Sequence, residues 1–489
     1  MTMNNDKILQ NLAKICGSRN ISQEPKNLKE YSKDLSFLKG KSPLCIVWPS
    51  ESQDVAKIVK LANDLKFYVI PISLYSKFKH HGDSLPKKDK SVILNLSRMN
   101  KVLSIDRKNR VVMVEPGVTF DQLVPILKNK GLRLLLPLNP TASRSVLSTA
   151  LEREPITIPR YHWDSSDPLL CTEVVFGTGD LFRTGTAAGP GTIKQQQKMG
   201  QAQVNPMGPT QFSPYRVIQG AQGSLGVVTW ATLKLELVPS IQKVYHFQSE
   251  NIQDLLDLQY ELLKYRLCDE LVILNNMNLA CLLKHNQQEI SELVRNLEKL
   301  NLIFVISSRG PLAKDKISYL EGDIDDIRAE LGLKFSEPKV EISHKQILQF
   351  FSEPCVKPWR IRLRGAYQDI LFLTSFEKIP KFISLMEANY KKDFGIYIQP
   401  INQGTSYHVE FDLYYDPEDI NNINVIKEKI LGVGIQLMDN GAFFSRPYGL
   451  WAKEVFFHQS TETINAMKKV KKIFDPNNVL NPGVLCFDD

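Results

Sequence analysis

Three stretches of the sequence carry residue types whose spacing suits chemistry. After Pro71 runs a loop with Ser73, Ser76, Lys77, Lys79, His80 and His81, and with Gly82 as the only glycine before Pro86. Its hydroxyls can donate to an anion, and its lysines and imidazoles can offset the charge of a phosphate. At Gly223-Ser224-Leu225-Gly226 the chain concentrates small residues ahead of a long alternating run. Turns of this kind bring backbone N–H groups close together, as a pyrophosphate requires. In the run Tyr407 to Tyr415, His408, Glu410, Asp412 and Tyr414 share one face, which is either the floor of a site or plain solvent-facing strand.

The elements that must hold these stretches follow from periodicity. Ser50-Glu51-Ser52-Gln53 reads as a capping box before a helix on Val55, Ile58, Val59, Ala62 and Leu65. A short strand, Tyr68-Val69-Ile70, ends at Pro71. Strands at Val92–Leu96 and Val111–Val114 flank a hairpin turn at Asp106–Asn109, and a helix on Phe120, Leu123, Val124 and Leu127 stops at Gly131. From Pro137 to Gly223 the composition turns to Gly, Pro, Ser and Thr around one hairpin at Thr178-Gly179-Asp180, and so long an irregular stretch usually lines a ligand. Val227 to Leu237 alternates with Val227, Thr229, Ala231, Leu233, Leu235 and Leu237 on one face. Beyond Ile241 amphipathic helices and strands alternate to Tyr415, and a last helix sets Ile464, Met467, Val470 and Ile473 on one side. The order helix, strand, strand, strand, helix, with no GxGxxG after the first strand, predicts an α+β fold rather than a doubly wound nucleotide fold.

Bulk properties bound the rest. At 489 residues with 43% hydrophobic residues, two or three packed domains are expected. A net charge of +8, from 61 basic against 53 acidic residues, is too diffuse to argue for nucleic acid. Seven cysteines without a CxxC spell neither a zinc nor an iron–sulfur site and suit a reducing, cytoplasmic location. No signal core is present, and no stretch reaches the roughly 18 apolar residues of a membrane span.

Six segments in order carry a resemblance: Pro49-Ser50-Glu51-Ser52-Gln53-Asp54-Val55; Asn95-Leu96-Ser97-Arg98-Met99-Asn100; Val114-Glu115-Pro116-Gly117-Val118; Thr172-Glu173-Val174-Val175 with Arg183-Thr184-Gly185; Gln222 to Thr229; and Phe474-Asp475-Pro476-Asn477-Asn478 to Gly483. Together they resemble the vanillyl-alcohol oxidase / p-cresol methylhydroxylase family, which includes glycolate and D-lactate dehydrogenases. The resemblance implies a two-subdomain FAD-binding domain of the PCMH type at 41–240, after an N-terminal helical segment at 1–40. It further implies an α+β cap domain at 241–440 and a C-terminal segment, 441–489, that returns to complete the FAD domain. FAD is the implied cofactor, with Ser73, Ser76, Pro116, Gly117, Thr141, Ser145, Ser148, Gly223, Ser224, Gly226, Val228 and Asn481 as its binding residues.

Where the sequence departs from the family, the departures inform. The first loop lacks the family's run of glycines, and Ser145-Val146-Leu147-Ser148 replaces a Thr-x-Gly-Gly turn. The family sometimes links its flavin through a histidine of the first loop, but the preferred reading of His80 and His81 is a solvated basic loop. Pro447 and Tyr448 stand where the hydroxy-acid dehydrogenases carry a Glu-His pair, and in the cap His408 alone remains of a His-rich motif, so no catalytic metal is expected. Arg446 matches an arginine of the phenol-oxidising branch, and a guanidinium in a dry pocket suits a carboxylate or phenolate. Arg446, His408 and Tyr448 are therefore the candidate catalytic residues, with His408 or Tyr448 as base.

The implied activity is hydride removal from a C–OH carbon of a small anionic substrate, a 2-hydroxy acid of the D-lactate or glycolate type. The alternatives are a para-substituted phenol or aryl alcohol and, in another class, a non-catalytic or electron-relay subunit of a complex. Without an NAD fingerprint, electrons are expected to leave to a protein, a quinone or oxygen. A homo-oligomer or a complex subunit both fit, whereas a nucleic-acid partner does not.

Overall fold

The computed structural model describes residues 2–161, 167–200, 205–207, 215–333 and 340–487. Three sheets organise them. The first has order β1-β2-β4-β3, from β1 (Ile21–Ser22), β2 (Cys45–Val47), β3 (Tyr68–Ile72) and β4 (Ser91–Asn95). Its last three strands are parallel, and the helix Ser52–Leu65 links β2 to β3. Val55, Ile58 and Val59 of that helix pack with Ile8 and Leu12 of the helix Thr2–Cys16 against Val47, Val69 and Val92. The capping box read at Ser50 is not formed: Asp54 takes Gln53's place, its carboxylate accepting from the backbone N and the hydroxyl of Ser50. Strand β3 also runs through Pro71, because as an edge strand it tolerates a residue without an N–H.

The second sheet is antiparallel along the order β5-β6-β10-β8-β9, from β5 (Val102–Asp106), β6 (Val111–Val114), β8 (Leu169–Phe176), β9 (Leu181–Arg183) and β10 (Gly226–Leu237), with β7 (Leu132–Leu134) also on β10. The Asp106–Asn109 turn joins β5 to β6; β4 belongs to the first sheet, so β5 is the strand that alternation did not reveal. The single buried face expected for β10 is instead burial on both sides, since Trp230 packs with Met113, Cys171 and Ala187 while Ala231, Leu233 and Leu235 pack in another cluster.

Past Leu237 the chain enters a six-stranded antiparallel sheet, β11 (Ile241–Ser249), β12 (Leu271–Asn275), β13 (Leu300–Ser308), β14 (Ala366–Thr374), β15 (Gly395–Ile401) and β16 (Ser406–Tyr415), in the order β11-β13-β12-β15-β16-β14. Helices Ile252–Lys264, Ile379–Asn389 and Ile420–Asp439 cover one face. Helices Asn276–Leu283 and His344–Ser352 pack on the other, where the polar residues of β14 and β16 also lie. Among the described residues no helix is long and apolar enough to cross a membrane.

The chain end comes back to the first sheet. Val69 of β3 donates its N–H to Val479 and accepts from Asn481. The helix Thr461–Phe474 packs Ile464, Met467 and Val470 of the expected side against Ala221, Leu225 and Phe487, but Ile473 is 70% exposed while Lys471 is 5% exposed. The Lys471 ammonium donates to Asp475 at 2.6 Å and to the carbonyls of Ser224 and Leu480 at 2.6 and 2.9 Å. Asp475 in turn accepts the N–H groups of Val479 and Leu480. Burial pulls the Lys471 ammonium below its ordinary value, while Asp475 works against that pull. Removing one member of such a buried pair strands the other, so Lys471→Met is expected to lower stability by about 3–5 kcal/mol in equilibrium denaturant unfolding.

Candidate active site

A long cleft gathers most of the sequence candidates. It encloses about 1920 Å³ of atom-free space, its open mouth included, and draws its walls from segments far apart in the chain. These are the loop after β3, the segment around Thr141–Ser148, the Gly223 turn with the start of β10, the Pro358–Arg360 turn, strands β14 and β16, and the Arg446–Tyr448 segment.

Ser73, Ser76, Pro116, Thr141, Ser148, Gly223, Gly226 and Val228 all line this cleft. Ser145 lines it too, but its hydroxyl donates to Pro116 and accepts from the N–H of Ser148, capping the short helix Val146–Leu151. Gly117, Ser224 and Asn481 stand behind the walls instead. A Cβ on Gly117 would lie 2.6 Å from the carbonyl oxygen of Ser97, so glycine there serves a backbone crossing. Ser224 is fully buried, with its hydroxyl on Ala221. The Asn481 amide clamps the carbonyls of Asp83 and Gln222. Gly223 has φ +69°, and a Cβ there would meet the Pro71 ring at 2.5 Å, so this turn sits hard against the start of the loop.

The loop is not a solvated basic segment. Its His80 and His81 side chains are 10% and 20% exposed and both turn inward onto Asp369 of β14. The residues before it hold it there. Asp34 accepts from the N–H of Gly82, and Leu35 donates to Lys79. The Arg446–Tyr448 segment is tied to the same loop by the Gly449 N–H on the His81 carbonyl at 2.8 Å, and to the Gly223 turn by the Gln222 amide on the Pro447 carbonyl at 2.9 Å. His81 and Tyr448 stack face to face, with ring centres 4.2 Å apart.

Arg446 is 6% exposed, lines the cleft, and has no hydrogen bond or ion pair among the described residues. Arg360, which the sequence reading missed, differs in kind. It ion-pairs with Glu410 at 2.5 Å and Asp412 at 3.2 Å and lies over the rings of Trp359 and Tyr367. Despite burial, Arg360 and His408 hold Glu410 down at about 2. Burial and the Glu410 charge push Asp412 well above the usual carboxylate range. The polar face of β16 is thus buried, as a site floor would be. His408 nevertheless ends with Nε2 on Glu410 at 3.2 Å and does not line the cleft, so it reaches the site only through Glu410. Burial lowers the His408 pKa and raises that of Tyr448 well above an ordinary phenol. Tyr448 therefore keeps its proton and is a donor rather than a base.

Comparison with known proteins bears on this geometry. Residues 43–185 match the model of the FAD binding domain, and residues 451–485 match that of the C-terminal domain of FAD linked oxidases. The flavoprotein subunit of 4-cresol dehydrogenase [hydroxylating] from Pseudomonas putida is 28% identical over 191 residues, 38% of this chain and 36% of that one. It and two further relatives are matched over only about a third of their own length. Mitochondrial D-2-hydroxyglutarate dehydrogenase from Arabidopsis thaliana is 23% identical over 96% of this chain and 79% of its own. In fold, the structure of p-cresol methylhydroxylase with substrate bound superposes with a TM-score of 0.84 at 18% identity, covering 100% of this chain and 98% of that one. The FAD binding domain model and the FAD linked oxidase C-terminal model thus match two separate parts of this chain, and the fold that p-cresol methylhydroxylase has runs its whole length.

Proposed function

We propose that this chain is an FAD-dependent dehydrogenase that oxidises the C–OH carbon of a small anionic substrate, a 2-hydroxy acid of the D-lactate or glycolate type. The observation that carries this reading is Arg446, a buried guanidinium facing the cleft with no protein partner among the described residues. Leaving such a charge dry and unpaired is unfavourable, so the cleft favours a ligand that brings a carboxylate or phenolate.

The cleft suits FAD by its donor set. Ser73, Ser76, Thr141 and Ser148 offer hydroxyls, the Gly223 turn brings backbone close, and Leu147, Val227 and Val228 supply apolar surface. Those residues would hold the cofactor, and when bound FAD supplies the two-electron acceptor. The protein's own part is to fix the anion at Arg446, to hold the Tyr448 phenol protonated beside the His81 ring, and to wall the site from water. His408 serves by positioning Glu410. Electrons then pass to a protein, quinone or oxygen acceptor.

A second reading rests on the aromatic lining. Trp359, Tyr367 and Tyr448 face the same cleft, which favours a para-substituted phenol or aryl alcohol.

Anaerobic addition of substrate separates the enzyme from an electron-relay subunit. The flavin absorbance is expected to bleach with one of the two substrate classes, and a spectrum unmoved by both sinks the proposal. Arg446→Met is expected to lower kcat/KM about 10²–10³-fold, the loss of a buried charge pair, with flavin content unchanged. Gly223→Ala, by contrast, forces a Cβ against Pro71 and is expected to weaken FAD retention about tenfold or more, read as flavin absorbance per chain after dialysis.

A further inference from the structure

Among the described residues, His80, His81 and Asp369 form a cluster of potential metal ligands. Its candidate ligand atoms lie within 4.8 Å of one another, and each Nε2 is 3.3 Å from the same carboxylate oxygen, Oδ2 of Asp369. For an ion with bonds of about 2.0–2.1 Å to nitrogen and oxygen, neighbouring ligands in a tetrahedron stand about 3.3 Å apart.

The hydrogen bonding of His80 adds an independent constraint. Its Nδ1 is 3.3 Å from the carbonyl of Phe78, which can only accept, so Nδ1 carries the hydrogen. In the neutral ring Nε2 is then a bare lone pair, and it faces another lone pair on Asp369. Such an arrangement needs a cation between the two atoms. A proton meets that need only by making His80 an imidazolium, its ring centre 4.2 Å from that of His81, which then donates from Nε2 as a neutral ring to the same carboxylate oxygen. A single divalent ion instead satisfies all three groups. A histidine ligand whose other ring nitrogen donates to a backbone carbonyl is also the usual way such a ring is oriented.

We propose that His80, His81 and Asp369 form a binding site for one divalent transition-metal ion, of the Zn²⁺, Mn²⁺, Fe²⁺ or Co²⁺ class. Two imidazoles and a carboxylate are borderline ligands that suit these ions and not Ca²⁺ or Mg²⁺. None of the three stands at His408 or at Pro447–Tyr448, where the sequence lacks the metal ligands of the hydroxy-acid dehydrogenases. All three line the cleft, so the positions the protein leaves open on the ion are available to water or to an oxygen of a bound anion. The ion would also clamp the loop after β3 to strand β14, joining parts of the chain nearly 290 residues apart.

The test is a titration of tag-free, full-length, flavin-loaded protein, stripped with chelator and dialysed, with Co²⁺ followed by visible absorption and Zn²⁺ by calorimetry. One saturable equivalent per chain is expected, with ligand-field bands that Zn²⁺ displaces. Asp369→Asn and the double substitution His80→Ala/His81→Ala are expected to weaken binding at least about 100-fold, with thermal melting and flavin content reporting on folding. Electron paramagnetic resonance of the Cu²⁺ form is expected to count two imidazole nitrogens in the wild type. Absence of saturable binding by the wild type, or unchanged binding by the double variant, overturns the site and leaves a shared-proton cluster.

Discussion

The buried ammonium of Lys471 is the interaction on which the cleft's geometry depends. It reaches the carbonyl of Ser224 in the glycine turn, the carbonyl of Leu480 in the returning chain end, and the carboxylate of Asp475. Two segments that approach the first sheet from different parts of the chain are thereby fixed to one point. The returning chain end bridges to β3 at Val69, and from it Asn481 bonds both Asp83 in the loop and Gln222 before the turn. In a low-dielectric interior an ion pair with every partner in place tolerates one arrangement, and any slip strands a charge. The spacing between loop and turn is therefore set by residues that never face the cleft.

The two arginines on the cleft divide its electrostatics. Arg360 is spent on Glu410, Asp412 and the rings around it, so its charge shapes the wall and leaves little for a ligand. Arg446 carries the same charge with no hydrogen bond or ion pair among the described residues. One cation organises the acids of β16, and the other lies buried on the cleft wall apart from them.

What was legible in the sequence was whatever repeats locally. Alternation gave β10 and β16, helical spacing gave the helices at 52–65 and 120–129, and small residues marked the Gly223 turn. The residues that escaped act through partners hundreds of positions away. Lys471 sits in a basic run, Lys468-Lys469-Val470-Lys471-Lys472, that reads as a wet face. Asp369 stands alone ahead of Ile370-Leu371-Phe372-Leu373, and an isolated acid in an apolar strand was its one visible signal. His408 was placed on the correct face, but which of two neighbours on that face reaches the cleft depends on the depth of the wall. Ser145 offered a hydroxyl that turned out to be used as a helix cap.

The glycine-poor first loop shows how the chain reached a similar cleft by another route. A glycine-rich loop can fold around a phosphate because it is free to adopt unusual backbone angles, and it is ordered when the ligand arrives. Here the protein orders the loop beforehand. Asp34 and Leu35 brace it from the N-terminal segment, Gly449 holds it from the C-terminal one, and Gln368 of β14 bonds the carbonyl of Leu35 behind it. Ordering ahead of binding lowers the entropy lost when the ligand docks, which offsets the fewer backbone donors the loop can present. It also fixes side chains as well as backbone. A loop free to move could not keep two imidazoles at 3.3 Å from one carboxylate oxygen, and this one does because its shape is set from three sides.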